Sequence, residues 1–150
     1  TAYGAYSAHV MELTTHDGND RDSPYYLENL RDWEYRGLIE VAKENLLLGV
    51  NVILVGPFSK EIQSGQLFDP KILGFPPQTR IQIAWIDLQE DEAKRRMQKR
   101  GDPRDAWKLA HWDQYVRRRI NPPFHAAIKR FDHFQFDEGL FNQLIDHLLE

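Results

Sequence analysis

Near the middle of the chain, Asn51-Val52-Ile53-Leu54-Val55-Gly56 forms a continuous apolar, β-branched run. Such a run predicts a strand buried on both faces, the habit of parallel sheets. Pro57-Phe58-Ser59 stops it. Parallel strands cannot be joined by tight hairpins; each needs a long crossover, usually a helix. The flanking sequence supplies such segments. Ser23-Pro24 predicts a helix start, because Ser caps free N–H groups and Pro at the first helical position loses nothing. Leu27, Leu30, Glu34, Leu38, Val41 and Asn45 then recur at spacings of three or four, with Trp33, Ala42, Leu46 and Leu48 widening the stripe. The spacing predicts one long helix to about Leu48, ended by Gly49.

Arg80 to Asp87, rich in Ile and carrying Trp85, predicts a second strand, and His133 to Asp137 a third, short one. Glu90 to Arg100 predicts a polar, basic helix closed by Gly101. Pro103 to Arg119 reads as helical again on Trp107, Ala110, His111, Tyr115 and Val116, which places His111 on an apolar face. Leu140, Phe141, Leu144, Ile145 and Leu148 predict the inward face of a last helix, and a short helix around Ala5 to Leu13 precedes the polar 16–24 loop. Residues 60–79 are interrupted by Pro70, Pro76 and Pro77, and Ser59 is placed to cap the helix that follows it. The alternation predicts an α/β fold, a parallel sheet with helices on both faces, in one domain over 1–150. Ligands in such sheets bind at the carboxyl ends of strands, which singles out Gly56 to Lys60, Asp87 to Gln89 and Asp137 to Gly139.

A chain of 150 residues can bury a real core, and a mean hydropathy of -0.61 with 12% aromatics describes a globular protein. No apolar run approaches the roughly 20 residues of a spanning helix, so no membrane partner is expected. No signal peptide is visible, and the absence of cysteine excludes disulfides, a thiolate nucleophile and Cys-ligated zinc. These features fit a cytoplasmic setting. The six histidines show no metal-ligand spacing.

The net charge of -4 hides an asymmetry. Lys94 to Arg119 holds ten of the 19 Lys and Arg and only three acids, Asp102, Asp105 and Asp113. A local basic segment on an acidic protein suits a small anionic ligand better than long nucleic acid, which needs a basic face. Arg96, Arg100 and Arg104 are four apart, but Gly101 and Pro103 break the helix between them, which allows convergence on one anion. Guanidinium groups suit phosphate because they stay charged and offer two parallel hydrogen bonds. The competing reading is a solvated basic helix with acid partners such as Asp102 beside Arg104. Trp107, Trp112 and Tyr115 suit either a stacked base or packing.

The stretch Arg100-Gly101-Asp102-Pro103-Arg104-Asp105-Ala106-Trp107-Lys108-Leu109-Ala110-His111-Trp112-Asp113 resembles a segment of small P-loop kinase-like proteins of the AAA-type ATPase group. So do the His16 to Ser23 loop, Glu34-Tyr35-Arg36-Gly37-Leu38, Asn45-Leu46 with Gly49, and Gly56-Pro57-Phe58-Ser59-Lys60-Glu61. The resemblance covers most of residues 14–117 and implies a fold similar to nucleoside monophosphate, gluconate and shikimate kinases. It makes residues 95–108 an arginine-bearing lid over ATP and magnesium, with Arg96, Arg100, Arg104 and Lys108 toward the phosphates. Arg100 and Arg104 then act on the phosphoryl group in transfer. The family's G-x-x-x-x-G-K-[ST] loop has no match in this sequence. The resemblance places that loop, the first strand and the second strand, about 35 to 40 residues, ahead of Thr1.

On the acceptor side the resemblance brings up the 16–23 loop and the start of the long helix. Asp20, Arg21 and Asp22, with Arg31 and Tyr35 one turn apart, are the candidates to hold a polar small molecule, and a carboxylate there could take a hydroxyl proton. Asp17 belongs to the same loop, which is otherwise a solvated turn with Asx hydrogen bonds. The expectation is an ATP-dependent small-molecule phosphotransferase. The alternatives are a non-catalytic nucleotide-binding or protein-interaction α/β domain, and a plain partner-binding module.

Overall fold

The computed structural model of the protein describes residues 2–132 and 138–149. The fold is mixed α/β: helices dominate, and a two-stranded parallel sheet is present. The chain divides into two compact units, residues 1–56 with 97–118 and residues 57–96 with 119–150.

In the first unit, α1 (Ala2–Thr15) and α2 (Pro24–Asn29) lead into α3 (Arg31–Leu47), and α1 and α2 each pack on α3. Ser23 is the N-cap of α2: its Oγ accepts from the Tyr26 N–H at 3.2 Å, with Pro24 in the first turn. Gly49 closes α3 at φ 76°, with Gly49 N–H bonded to Leu46 O and Val50 N–H to Asn45 O, both 3.0 Å. That pair of bonds is a Schellman motif, which needs a left-handed residue and so favours glycine. Met11, Tyr26, Ala42 and Trp112 are the buried apolar residues of this unit. Residues 97–118 complete it through the end of α5 (Glu90–Arg100), a 3-10 turn at Pro103–Asp105, α6 (Ala106–Ala110) and α7 (Trp112–Arg117).

In the second unit, α4 (Ser59–Gln63) and a 3-10 turn at Gln66–Phe68 precede β1 (Ile83–Asp87), and α5 begins here. β1 pairs in parallel with β2 (Ile128–Asp132), Ile83 opposite Ile128 through Asp87 opposite Asp132. α8 (Glu138–Leu149) packs on both strands. Phe131 is fully buried, and the buried His147 ring lies 6.0 Å from it.

Several expectations are corrected. Asn51–Gly56 is not in a ladder: among the described residues, no backbone group from 51 to 57 makes a hydrogen bond. Ile53 and Val55 are 68% and 89% exposed, so the run is not buried on both faces. A strand is defined by its partner, and the apolar pattern encodes only the tendency to be buried. The long helix breaks at Leu30 (φ -123°, ψ -39°), where Asn29 Nδ2 takes the Tyr25 carbonyl at 2.9 Å. The backbone bonds from Leu30 N–H to Tyr26 O (2.9 Å) and from Glu34 N–H to Leu30 O (3.1 Å) persist across the break. Ser59 is the first residue of α4 rather than its cap; Phe58 holds that position at φ 43°. His111, read from its apolar helix face as a core or interface residue, is exposed and so is not in the core. It separates α6 from α7, and its Nδ1 lies 3.0 Å from Trp107 O. The third strand expected at His133–Asp137 lies outside the described residues. β2 was masked in the sequence by Lys129, Arg130 and Asp132, which spoil a period-two pattern; Arg130 instead pairs across the ladder with Asp87 at 2.7 and 2.8 Å.

Candidate functional site

The 16–24 loop is organised by its own carboxylates. Asp20 Oδ1 accepts from the N–H groups of Asp22 (2.8 Å) and Ser23 (2.9 Å). Burial pushes the Asp20 carboxyl up, but the Ser23 hydroxyl and these two amides outweigh it and hold it below the usual range. Gly18 allows the loop to close on α1: its N–H reaches Glu12 Oε2 at 2.9 Å, and a Cβ there would stand 3.0 Å from Ala8 O. Arg21 donates to the carbonyls of Gly18 (3.2 Å), Asp20 (2.7 Å) and Gly4 (3.2 Å), with its guanidinium over the Tyr26 ring.

Across the same unit, Asp102 caps the 3-10 turn by accepting the Arg104 N–H at 3.0 Å. It also takes Arg104 Nε (3.0 Å) and Nη2 (2.6 Å) on its two oxygens. Those Arg104 bonds, side chain first, pull the Asp102 carboxyl far below its ordinary range. Arg100 holds Asp105 Oδ2 through Nε at 3.0 Å and through Nη2. Asp105 is buried and Arg100 largely exposed. Lys108 Nζ donates to Arg104 O at 3.0 Å and stands 3.4 Å from Asp22 Oδ2 and 3.6 Å from Asp105 Oδ1. Asp22 also takes Arg118 Nη2 at 2.9 Å; its Oδ2 is buried and at ion-pair distance from Lys108 without forming a hydrogen bond. The Arg118 guanidinium covers the Trp107 ring at 4.4 Å, and His111 stacks on the same ring.

The outcome is an open cleft of about 270 Å³ lined by Arg21, Arg100, Asp102, Arg104, Asp105 and Lys108. It gathers four cations and two carboxylates. Of the sequence candidates, Arg21, Arg100, Arg104 and Lys108 line this cleft, and Asp22 joins it through Lys108. Asp20 works inside its loop. Arg31 and Tyr35 do not line the cleft: Arg31 bonds Asp32 at 3.0 Å and lies over the Tyr35 ring at 4.0 Å. Arg96 pairs with Glu92 at 2.6 Å, one turn back on α5. Asp105 and Arg118 were missed as members of the network. The three-residue spacing from Asp105 to Lys108 was a readable signal; nothing local pointed to Arg118 meeting Asp22.

Chemically, the cleft presents guanidinium and ammonium groups whose present partners are carboxylates and, for Arg21 and in part for Lys108, backbone carbonyls. An anion with several oxygens can replace those partners bond for bond. Among the described residues, no group of three His, Asp or Glu side chains is arranged to hold a metal ion, and no helix is long and apolar enough to cross a membrane. No family model, curated protein or solved structure matches the chain.

Proposed function

We propose that the protein is an ATP-dependent small-molecule phosphotransferase with a P-loop NTPase-like, three-layer fold, working in the cytoplasm. The observation that carries this reading is the meeting of Arg21 with Arg100, Arg104 and Lys108 in one cleft. Phosphoryl transfer asks a protein mainly for positioning and charge compensation of the equatorial oxygens. In this reading Arg100 and Arg104 exchange Asp105 and Asp102 for phosphate oxygens, and Lys108 adds a point charge behind them. Arg96, paired with Glu92 and outside the cleft lining, adds no support; Asp20, Arg21 and Asp22 face the acceptor. Arg31 and Tyr35, outside the cleft lining, add no support. The carboxylates in the cleft lining, Asp102 and Asp105, are each held by an arginine, so magnesium would arrive with the nucleotide, carried by its phosphate oxygens and water rather than by this cleft.

A second reading, a non-catalytic nucleotide-binding or protein-interaction domain, draws on a specific observation: each cation of the cleft already has a carboxylate or carbonyl partner. Titration calorimetry of the full-length protein with ATP and magnesium, followed by an acceptor screen, decides between them. The first reading expects saturable ATP binding and transfer, with turnover falling in Arg100→Ala and Arg104→Ala at little cost in stability. ATP binding without transfer or hydrolysis supports the second. Nucleotide affinity and turnover unchanged in both variants reject the cleft as the phosphate site.

A further inference from the structure

The cleft supplies its own anions. Arg104 gives its guanidinium to Asp102 through two bonds, Nε to Oδ1 at 3.0 Å and Nη2 to Oδ2 at 2.6 Å. Two such bonds to two oxygens are also how a guanidinium holds a phosphate group. At Arg104, Asp102 therefore fills the place of two phosphate oxygens. The turn keeps the carboxylate there: Asp102 Oδ1 also accepts the Arg104 N–H at 3.0 Å, and Pro103 between them has a fixed φ. The Arg104 carbonyl accepts Lys108 Nζ at 3.0 Å, so the Arg104 backbone is held on both sides. Its side chain, 57% exposed, is the part that can turn. Arg100 differs. Its partner Asp105 is buried, and losing Arg100 leaves that carboxylate to Lys108, 3.6 Å away. Taking one partner from a buried pair costs far more than opening a pair near the surface.

We infer that Asp102 is a built-in competitor for the anionic ligand of the cleft: a polyphosphate chain takes Arg104 by displacing the Asp102 carboxylate, which recaptures the guanidinium as the ligand leaves. The inference rests on the reading of the cleft as a phosphate site and adds its regulation. Affinity is lowered by the fraction of molecules in which the pair is closed. A lone phosphate group offers Arg104 no more than Asp102 already does. A polyphosphate chain also meets Arg21 and Lys108 in the same lining, and that surplus opens the pair.

The test is calorimetry of the full-length protein with inorganic tripolyphosphate, on the wild type, Asp102→Asn, Arg104→Ala and the double variant. Asparagine keeps an oxygen for the Arg104 N–H, and so the cap, but has one acceptor oxygen and no charge. Asp102→Asn is expected to bind roughly tenfold more tightly, with unchanged circular dichroism. Magnesium-ATP carries the same chain and should show the same gain; its affinity beside that of tripolyphosphate separates a nucleotide ligand from an inorganic one. Arg104→Ala should weaken binding. In that background Asp102→Asn should bring a smaller gain, because no guanidinium remains to be released. An equal gain in both backgrounds is the field effect of one lost charge and overturns the inference. So does an Asp102→Asn protein that binds no more tightly than wild type while Arg104→Ala still weakens binding, a result that leaves the cleft standing as the phosphate site. Binding indifferent to Arg104→Ala, or absent in all four proteins, removes the cleft reading and the inference with it.

Discussion

Asp22 joins two parts of the sequence that no local rule connects. Its Oδ1 accepts from Arg118, 96 positions away, and its Oδ2 faces Lys108. Asp22→Ala is expected to destabilise the protein by roughly 1.5 kcal/mol, the low end for a hydrogen bond to a charged group, because Lys108 keeps Asp105 and the Arg104 carbonyl. Urea unfolding measures it; a change within error would mean the pair contributes nothing net. Glu92 gives a pH prediction. Hydrogen bonds from Arg95 first and Arg96 second lower its carboxyl from 4.5 to about 2. A carboxyl lowered in the folded state contributes stability above its unfolded value and loses it as the pH falls through the folded one. Glu92's contribution is therefore complete above about pH 4.5 and gone below about pH 2. An NMR titration of its side-chain carboxyl should show this low midpoint, moving upward in Arg95→Ala.

The elements respond to different physics. Helix ends are set by local bonds, so Ser23→Ala should cost about 1 kcal/mol by leaving the Tyr26 N–H without its cap. Gly49→Ala should cost roughly 1–2 kcal/mol although nothing stands within 4 Å of the added Cβ, because φ 76° is left-handed. The strands depend on burial. Phe131→Ala is expected to remove roughly 3–5 kcal/mol, while Arg130→Ala on the adjacent residue, breaking an exposed pair with Asp87, removes about 0.5 kcal/mol. Thermal or urea denaturation of the pair separates the two; comparable losses would refute the ranking. The helix starts and stops at Ser23-Pro24, Gly49 and Gly101 were legible because each rests on residues within one turn. The break at Leu30 and the parallel strand at Ile128–Asp132 were not, since no glycine or proline marks the one and the other needs a partner 45 residues back.

At the scale of the whole molecule, a negative protein concentrates its cations in one stretch, and part of that stretch opens as a cleft. Inorganic tripolyphosphate, followed by calorimetry, should bind there and lose affinity roughly tenfold toward ~1 M salt, where screening acts within about 3 Å. Salt-independent binding would place the ligand elsewhere. The linear order of residues determined the α/β character, the Ser23 cap and the clustering of Arg100, Arg104 and Lys108, because each depends on spacing within a few turns. Tertiary structure alone decided which carboxylate holds which cation, that Arg21 shares the cleft with the 100–108 segment, and that Asn51–Gly56 stands unpaired. Those outcomes depend on contacts between distant residues, and a strand's character depends on a partner that its own side chains cannot name.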